Sequence, residues 1–583
     1  MDPATRPPRL MRRNRRIGGA LSAALSLVAF GGASPLQAQP AEPAAQLQRQ
    51  QEERERQLRE QLEVPADVRR DDGWTARRFK RLPAMPESPC FHIARIVLAG
   101  EGSTRFNWAL KAASPRADRA LGRCLGTTGI NVVIARVQDA VVARGYITTR
   151  VLAGPQDLTT GTLVLTVVPG HVRAVRFAGP APRHASLRNA VPAGAGALLN
   201  LRDVEQGLEN LQRVPSATAD IRIEPAQGDT AGPGDSTLVV AWSQRRPWRG
   251  SVSIDDAGSQ ATGKLQANAT LARDNPLGWH DLFYLNAGHD VFNGSGKGSG
   301  NWTAHYDVPL RRWLFGATAG GYDYRQTVAG AFEDYVYRGR SDNTELRASL
   351  LLHRNARSRL NLYGYGWRRA GRHYIDDTEV RVQRRATAGW AVGLEWRQFI
   401  GEGSLEAGMG YRRGTGAFHA LHAPEEAFGE GSSRMRLLSA DARLSMPFRL
   451  GKQSLRYLGS WRAQWNHTAL VPQDRFAIGG RYSVRGFDGE ISLTGDRGWW
   501  LRNEAELALG GGQAFYLGLD YGHVAGGAAV RWQPGDHLAG AAIGLRGRWR
   551  ALAWDGFFAT PVSKPDRFPT PPLTTGVSVS AVF

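Results

Sequence analysis

Two stretches of the chain carry residue types that could do chemistry. His419-Ala-Leu-His422, followed by Glu425 and Glu426, offers two imidazoles and two carboxylates, a donor set that suits zinc. Zinc peptidases hold such a histidine pair on a helix, whereas Pro424 and the surrounding glycines make this stretch a solvated loop. Gly294-Ser-Gly-Lys-Gly298 has the composition of a phosphate-binding loop but lacks its spacing and its following helix, so it reads as a hairpin turn. No G-x-S-x-G elbow or other nucleophile constellation occurs. The sequence therefore offers no enzyme centre, no cofactor site and no metal site. One arginine stands apart from this list. Arg485 lies in Phe476-Ala-Ile-Gly-Gly-Arg-Tyr-Ser-Val-Arg-Gly-Phe-Asp488, where Gly479, Gly480 and Gly486 permit a tight backbone course. Its planar fork suits bidentate capture of a carboxylate, which lysine cannot reproduce.

The elements that must position such residues begin with an export signal. Arg6, Arg9, Arg12, Arg13, Arg15 and Arg16 precede an uncharged run from Ile17 to Phe30, then Gly31-Gly32 and the small residue Ala38. Residues 1–38 thus read as a secretory signal peptide, with an apolar run too short to span a bilayer. Its removal takes the formal charge from +21 to +16, since it holds one acid, Asp2. A basic exported protein can meet lipid phosphates, lipopolysaccharide or acidic polypeptide. Nucleic acid is disfavoured, because the charge is dispersed and no binding motif accompanies it. In an oxidising compartment the only two cysteines, Cys90 and Cys124, are expected to form a disulfide closing a loop of roughly 35 residues. No further ligands cluster there to make a zinc site.

At 583 residues the chain holds several domains. Mean hydropathy is negative and the signal is the one long apolar stretch, which excludes a helical membrane protein. The 69 glycines and 17 tryptophans fit strands that hide their apolarity in alternation. Residues 39–63 are rich in Gln, Glu and Arg, with high helix propensity and almost no apolar stripe. They form either a solvated helix or tail, or a polar helix housed in a water-filled lumen. A Pro- and charge-rich tether follows at 64–87.

From Pro89 to Trp242 a pattern of strand, helix, helix, strand, strand occurs twice, over 88–170 and 171–245. In the first unit the pattern predicts strands at His92 to Leu98, Ile147 to Leu152 and Thr162 to Val168, and a short helical stretch around Asp118 to Cys124. Its main helix, Asn131 to Arg144, carries Val133, Val137, Ala140 and Val141 on one face. The second unit's helix, Leu201 to Val214, carries Leu201, Val204, Leu208 and Leu211 and stops at Pro215.

From residue 246 onward the text turns to alternating strands and polar turns. Leu405, Ala407, Met409 and Tyr411 share a face, as do Leu501, Ala505, Leu507 and Leu509, and as do Tyr363, Tyr365 and Trp367. In each case charges and small residues fill the other face. A soluble sandwich would turn that charged face to solvent, so alternation alone does not decide, whereas a membrane barrel would turn the aromatic and apolar rows to lipid. The 336 residues from Trp248 to Phe583, at roughly 21 per strand and turn, give 16 strands, an allowed even number. Aromatics recur near strand ends, as interface girdles require.

The Val-Arg-Gly-Phe core after Gly-Gly resembles the loop-six signature of the outer-membrane transporter superfamily that carries periplasmic POTRA domains. In that superfamily the loop folds back into the barrel and its arginine meets an inner-wall aspartate. Gly518-Leu-Asp-Tyr-Gly522 resembles the matching wall motif, and strand parity turns Asp520 and Gly522 away from the apolar row Phe515, Leu517, Leu519, Tyr521. The resemblance thus implies a lock made by Arg485, Gly486 and Phe487 with Asp520 and Gly522, worth about 1 kcal/mol in a wet lumen. Arg144-Gly-Tyr146 and Pro89-Cys-Phe91 resemble the POTRA units of two-partner secretion transporters. Asp274-Asn-Pro-Leu-Gly278 with Asp281, and Tyr306-Asp-Val-Pro-Leu310, resemble strand motifs of the same branch. The terminal strand ending in Phe583 resembles an outer-membrane assembly signal.

The resemblance implies a 16-stranded antiparallel membrane β-barrel (246–583), preceded by two α+β POTRA-like domains and an N-terminal plug helix. It further implies an outer-membrane pore with POTRA-like domains in the periplasm. Its partner would be a secreted exoprotein, haemolysin- or adhesin-like, with an N-terminal secretion domain, translocated without ATP. Outer-membrane lipids and, during biogenesis, the barrel-assembly machinery are the other implied partners. A barrel-assembly insertase of the same superfamily is the first alternative, although only two POTRA-like units argue against it. A passive solute porin would leave those units unexplained, and a soluble secreted β-enzyme would leave the terminal strand unexplained.

Overall fold

The computed structural model describes residues 41–63, 81–229, 232–292, 294, 296–330 and 332–583. The signal expected at 1–38, and the tether expected at 64–87 as far as residue 80, lie outside the described residues. The first element, α1 (Ala41–Leu62), is a helix of 22 residues, about 33 Å long at 1.5 Å per residue. Gln48 and Gln51 donate to Glu52 and Glu55 one turn on, and Arg59 pairs with Glu63, so polar side chains brace successive turns.

The first α+β unit runs through β1 (Phe91–Ile93), β2 (Arg95–Ala99), α2 (Leu110–Ala113), β3 (Arg123–Leu125), α3 (Thr127–Ala143), β4 (Arg150–Leu152) and β5 (Thr162–Val168). Val133, Val137 and Val141 of α3 are fully buried against Leu163, Leu165 and Val167 of β5. The helical periodicity therefore marks a core face. The stretch from Asp118 to Cys124 is not helical as expected. Pro115 and the positive φ of Gly122 interrupt a helix there, the Asp118 carboxylate receives Leu82 N–H and Arg136, and Arg123–Leu125 pairs with β1 instead. Cys90 and Cys124 are disulfide-bonded across that small ribbon. The strand expected from Ile147 is shorter, beginning at Arg150.

The second unit repeats the plan with β6 (Val172–Phe177), α4 (Leu187–Ala190), α5 (Leu201–Leu211), β7 (Ala217–Pro225) and β8 (Ser236–Gln244). Its sheet order is β6-β8-β7, which leaves β7 as an edge strand. Leu201, Val204, Leu208 and Leu211 of α5 pack on Ile221, Leu238 and Val240.

The barrel begins with β9 (Trp248–Asp255), β10 (Gln266–Asp274), β11 (Leu282–Asp290), β12 (Gly298–Leu310), β13 (Trp313–Ala329), β14 (Asp334–Arg354) and β15 (Ser358–Ile375). A two-residue β16 (Thr378–Glu379) caps β15. Then come β17 (Arg385–Ile400), β18 (Gly403–Thr415), β19 (Arg436–Leu450) and β20 (Gln453–Asn466). The loop after β20 holds the ribbon β21 (Phe476–Ile478) and β22 (Leu493–Gly495). The wall resumes with β23 (Arg497–Gly510), β24 (Gln513–Ala525), β25 (His537–Trp549), β26 (Leu552–Ser563) and β27 (Thr574–Val582). Each long strand pairs antiparallel with the next and β27 returns to β9, closing a barrel of sixteen long strands. The closing seam pairs only Ser578–Val582 with Ser251–Asp255, whereas β13 and β14 pair from Trp313 to Ala329. Phe583 prolongs the seam through hydrogen bonds exchanged with Gly250.

Outside the barrel, Met409, Leu509, Leu517 and Leu519 are exposed, as a lipid-facing row must be. Tyr363, Tyr365 and Trp367 go the other way. They face the lumen, where Trp367 is buried against Met435 and Leu437, and Gly364 and Gly366 take the outer face. Alternation fixes two faces but not which one is outside, and here arginines stacked on the rings decide it. Arg347 lies 4.2 Å from the Tyr363 ring centre and Arg412 4.2 Å from that of Trp367, all four lining the interior cavity. Among the described residues no helix is long and apolar enough to cross a membrane.

Candidate functional site

The lumen is a polar cavity of about 1370 Å³ lined by the wall, by α1 and by the loop between β20 and β23. The loop is seated first by apolar packing. Phe476, Ile478, Val484, Phe487 and Leu493 form a buried cluster with Val524 and Leu538 of the wall and with Phe568. Phe487 meets Phe568 edge to face, with ring centres 5.7 Å apart.

Within that seat Arg485 meets Asp520. Arg485 Nε lies 2.7 Å from Asp520 Oδ2 and its Nη2 lies 2.9 Å from Oδ1, a bidentate fork. The Arg485 backbone N–H donates to the same carboxylate at 3.0 Å. The two side chains are only 3% and 1% exposed. The lumen is therefore dry at this point, and the estimate of about 1 kcal/mol for a wet pair does not apply. Removing one partner of a buried pair costs about 3–5 kcal/mol, because a charge is stranded without water.

Sequence reasoning missed the third and fourth members. Glu504 accepts from Arg485 Nη1 at 2.9 Å, and Arg546 joins Glu504 at 2.6 Å and Asp555 at 3.2 Å. The signal was present in strand parity, because Glu504 pairs with Gly518, two residues from Asp520 on the lumen face. The wall glycines make room. A Cβ on Gly518 would sit 2.2 Å from Arg485 Nη2, and one on Gly522 would meet Val484 and Ile478 at 2.9 Å. Gly486 adopts φ 100°, and a Cβ there would also strike the Thr560 carbonyl.

The helix α1 is held differently. It runs the length of the lumen, with Ala44 and Leu47 against Tyr322 and Tyr324 toward one end and Leu58 and Leu62 against Tyr284 and Val214 at the other. Between these ends its contacts are polar. Glu52 pairs with Arg369 and Glu53 with Arg462, both at 2.7 Å, Arg59 pairs with Glu345 at 3.1 Å, and Glu60 pairs with Arg443. Gln46 and Gln50 donate to the loop carbonyl of Gly489, the latter at 3.0 Å.

At the mouth that faces the second α+β unit, the strand motifs named from sequence become a joint with that unit. Asp274 is fully buried and receives Arg249 and the Ser216 N–H, while Asp281 receives the N–H groups of Leu277 and Trp279. Asp307 takes a bidentate hold from Arg213 and a 3.1 Å contact from His305. His305 lies 3.3 Å from Glu63, just beyond α1, so the helix end, the wall and the second unit share one cluster. Glu63, His305 and Asp307 are also the one metal-like grouping of three among the described residues. Arg213 engages both Asp307 oxygens, which makes the cluster a complete ion-pair network. Beside it, Glu209 of α5 binds Arg354 and Arg359. Burial alone would raise the pKa of Glu209, but the two guanidinium groups overcome that and hold it below the usual carboxylate range.

The other sequence candidates fall apart as chemical sites. His419 and His422 lie on a loop, with His422 bound to Glu426 at 2.6 Å and Glu425 to Arg385. Partial burial raises the Glu426 pKa, but His422, Ser433 and the Ala423 N–H prevail and hold it at about 2. That carboxylate is consumed in tying its own loop. Gly294 lies between the antiparallel strands β11 and β12, and Gly298 already opens β12.

Comparison with known proteins agrees with this architecture. Residues 234–547 match the family model for haemolysin secretion/activation proteins of the ShlB/FhaC/HecB type. Residues 91–170 match the ShlB-type POTRA domain, and 171–225 match a further POTRA domain model. The outer membrane transporter CdiB-2 of Burkholderia pseudomallei is 35% identical over 558 residues, covering 93% of this chain and 94% of that protein. CdiB of Dickeya dadantii is 28% identical, with 93% and 95% covered. The solved structure of CdiB from Acinetobacter baumannii superposes with a TM-score of 0.81 at 30% identity, covering 93% of this chain and 99% of that one.

Proposed function

The chain belongs to the haemolysin secretion/activation family of outer-membrane transporters, and from that premise we propose a specific division of labour for its parts. The protein sits in the outer membrane with its POTRA domains in the periplasm and forms a translocation pore for a secreted exoprotein. The client is a large, haemolysin- or adhesin-like chain carrying an N-terminal secretion domain. It passes through the barrel extended, without ATP and without chemistry by the pore, drawn outward as it folds at the surface.

In this reading α1 is the plug of the resting pore. The observation that carries it is the contrast inside the lumen: a polar helix bound through part-solvated ion pairs beside a loop bound through a buried arginine. A passage wide enough for an extended chain opens when the helix leaves, and loop six remains as a fixed lining. Arg485, Gly486 and Phe487 with Asp520 and Gly522 act as its lock, and Glu504 and Arg546 complete it.

Client capture falls to the second POTRA domain. Its edge strand β7 offers backbone hydrogen bonds to an extended segment, and Arg222 stands there 60% exposed. Removing residues 171–242 should abolish client binding while the barrel still inserts. Normal secretion by that deletion would place recognition in the lumen. A client that stayed in the membrane would instead favour the insertase, and free solute flux with no protein client would favour the porin.

A further inference from the structure

We propose that Arg368, Arg413 and Arg436 form a binding site for the phosphorylated headgroup of an outer-leaflet glycolipid on the outside of the barrel wall. The inference stands apart from the transport reading, since these side chains lie on the lipid-facing surface and not in the lumen.

Register places them. On β17 the outward row runs Trp390, Val392, Leu394, Trp396, so two tryptophans bracket an apolar stretch, with Trp390 at the extracellular end. Trp390 pairs with Gly366 of β15 on one side and with Arg413 of β18 on the other. Arg413 pairs in turn with Arg436 of β19. Arg368 stands two residues further outward than Gly366 on the same face. Three exposed arginines on neighbouring strands thus surround one tryptophan where the apolar band ends.

Their environment points to an anion from outside the chain. Like charges directly opposed on antiparallel strands hold their Cβ atoms about 5 Å apart and repel. No acidic side chain forms an ion pair with Arg368, Arg413 or Arg436 among the described residues. The adjacent Arg412, turned into the lumen by strand parity, does have one, Asp474 at 3.2 Å. Arg338 on the same outer wall has Asp377 at 2.9 Å. Arg412 and Arg338 are thus neutralised within the chain, whereas this opposed and clustered group is left to its surroundings. At the outer edge of the apolar band those surroundings are lipid headgroups. Phosphates borne on a glycolipid match guanidinium forks presented on one face of neighbouring strands, and the ring of Trp390 suits the sugar and acyl boundary.

The test uses the full mature protein in detergent, titrated with diphosphorylated lipid A, with its dephosphorylated form and with inorganic phosphate, read by native mass spectrometry. Arg368→Gln, Arg413→Gln and Arg436→Gln should each weaken binding of the diphosphorylated form about fivefold, and together about a hundredfold. Arg497→Gln, also on the outer face, should leave it nearly unchanged. Heat-modifiable gel mobility confirms that each variant is a folded barrel. Equal binding by the triple variant, or equal binding of the dephosphorylated lipid, would overturn the proposal. Inorganic phosphate binding as tightly as the lipid would overturn it too, by showing a free-anion site.

Discussion

Loop six and α1 share one lumen and both use arginine–carboxylate pairs, yet they are held by opposite physics. Arg485 and Asp520 are 3% and 1% exposed and rest on the Phe476–Phe487–Phe568 cluster. Glu52 and Arg369 of the helix contact are 26% and 27% exposed. A dry pair on an apolar seat cannot be broken without stranding a charge. A part-solvated pair exchanges for water at little cost, about 0–1 kcal/mol. The same residue types therefore build a fixture in one place and a removable part in another. Burial, and not the number of ion pairs, makes the difference.

The largest effect should come from attacking the fixture. Arg485→Ala should cost the loop about 3–5 kcal/mol of docking energy and sharply reduce secretion while the barrel still inserts. Arg485→Lys should rescue poorly, since it keeps the charge and loses the fork. In a double-mutant cycle with Asp520→Ala the two effects should be strongly non-additive, and simple multiplication would mean that the residues act independently. Next in size is removal of the helix. Deleting 41–62 should open a passage about 10 Å across, the width of a helix, and raise resting conductance in planar bilayers with secretion largely preserved. Unchanged conductance would show that α1 does not obstruct the pore.

A smaller effect is expected at the POTRA–barrel joint. The folded-state pKa of Glu209 is depressed, so its contribution is fully present above the ordinary glutamate range and is lost as pH falls through the depressed value. Spin-label distances between α5 and β15 should hold from neutral pH down to about 5 and broaden only in stronger acid, below the ordinary glutamate range. Glu209→Gln should remove that dependence. The smallest effects belong to single helix contacts. Glu52→Gln or Arg462→Gln should each change helix retention by about 0–1 kcal/mol, and the two should add. A single substitution that ejected the helix would break the comparison.

Much of this was legible in the residues. Alternation and the two repeated helices gave the strands and the α+β units, because the periods of 2 and 3.6 are imposed by backbone geometry. Arg485 and Asp520 were found by motif and parity together. What was hidden depended on contacts distant in sequence. Parity could not say that Tyr363, Tyr365 and Trp367 face inward, since the decision lies with Arg347 and Arg412 across the wall. The dryness of the Arg485 site was hidden as well, because it rests on Phe568, more than eighty residues away in the chain. Arg213 and Asp307 carried no local sign that they would meet.

For a client to pass, the helix must leave while loop six stays. Glu55 and Asn343 touch at 3.0 Å between α1 and the wall, and Arg481 and Asp256 at 2.6 Å between loop six and the wall. Each pair can be replaced by cysteines in the full-length protein and joined by a short bis-methanethiosulfonate cross-linker, each thiolate displacing a methanesulfinate, before client secretion is measured. With Glu55→Cys and Asn343→Cys joined, secretion should stop and resting conductance stay low. With Arg481→Cys and Asp256→Cys joined, secretion should match the untreated variant. Secretion that continues with the helix tethered, or stops with the loop tethered, would contradict the account.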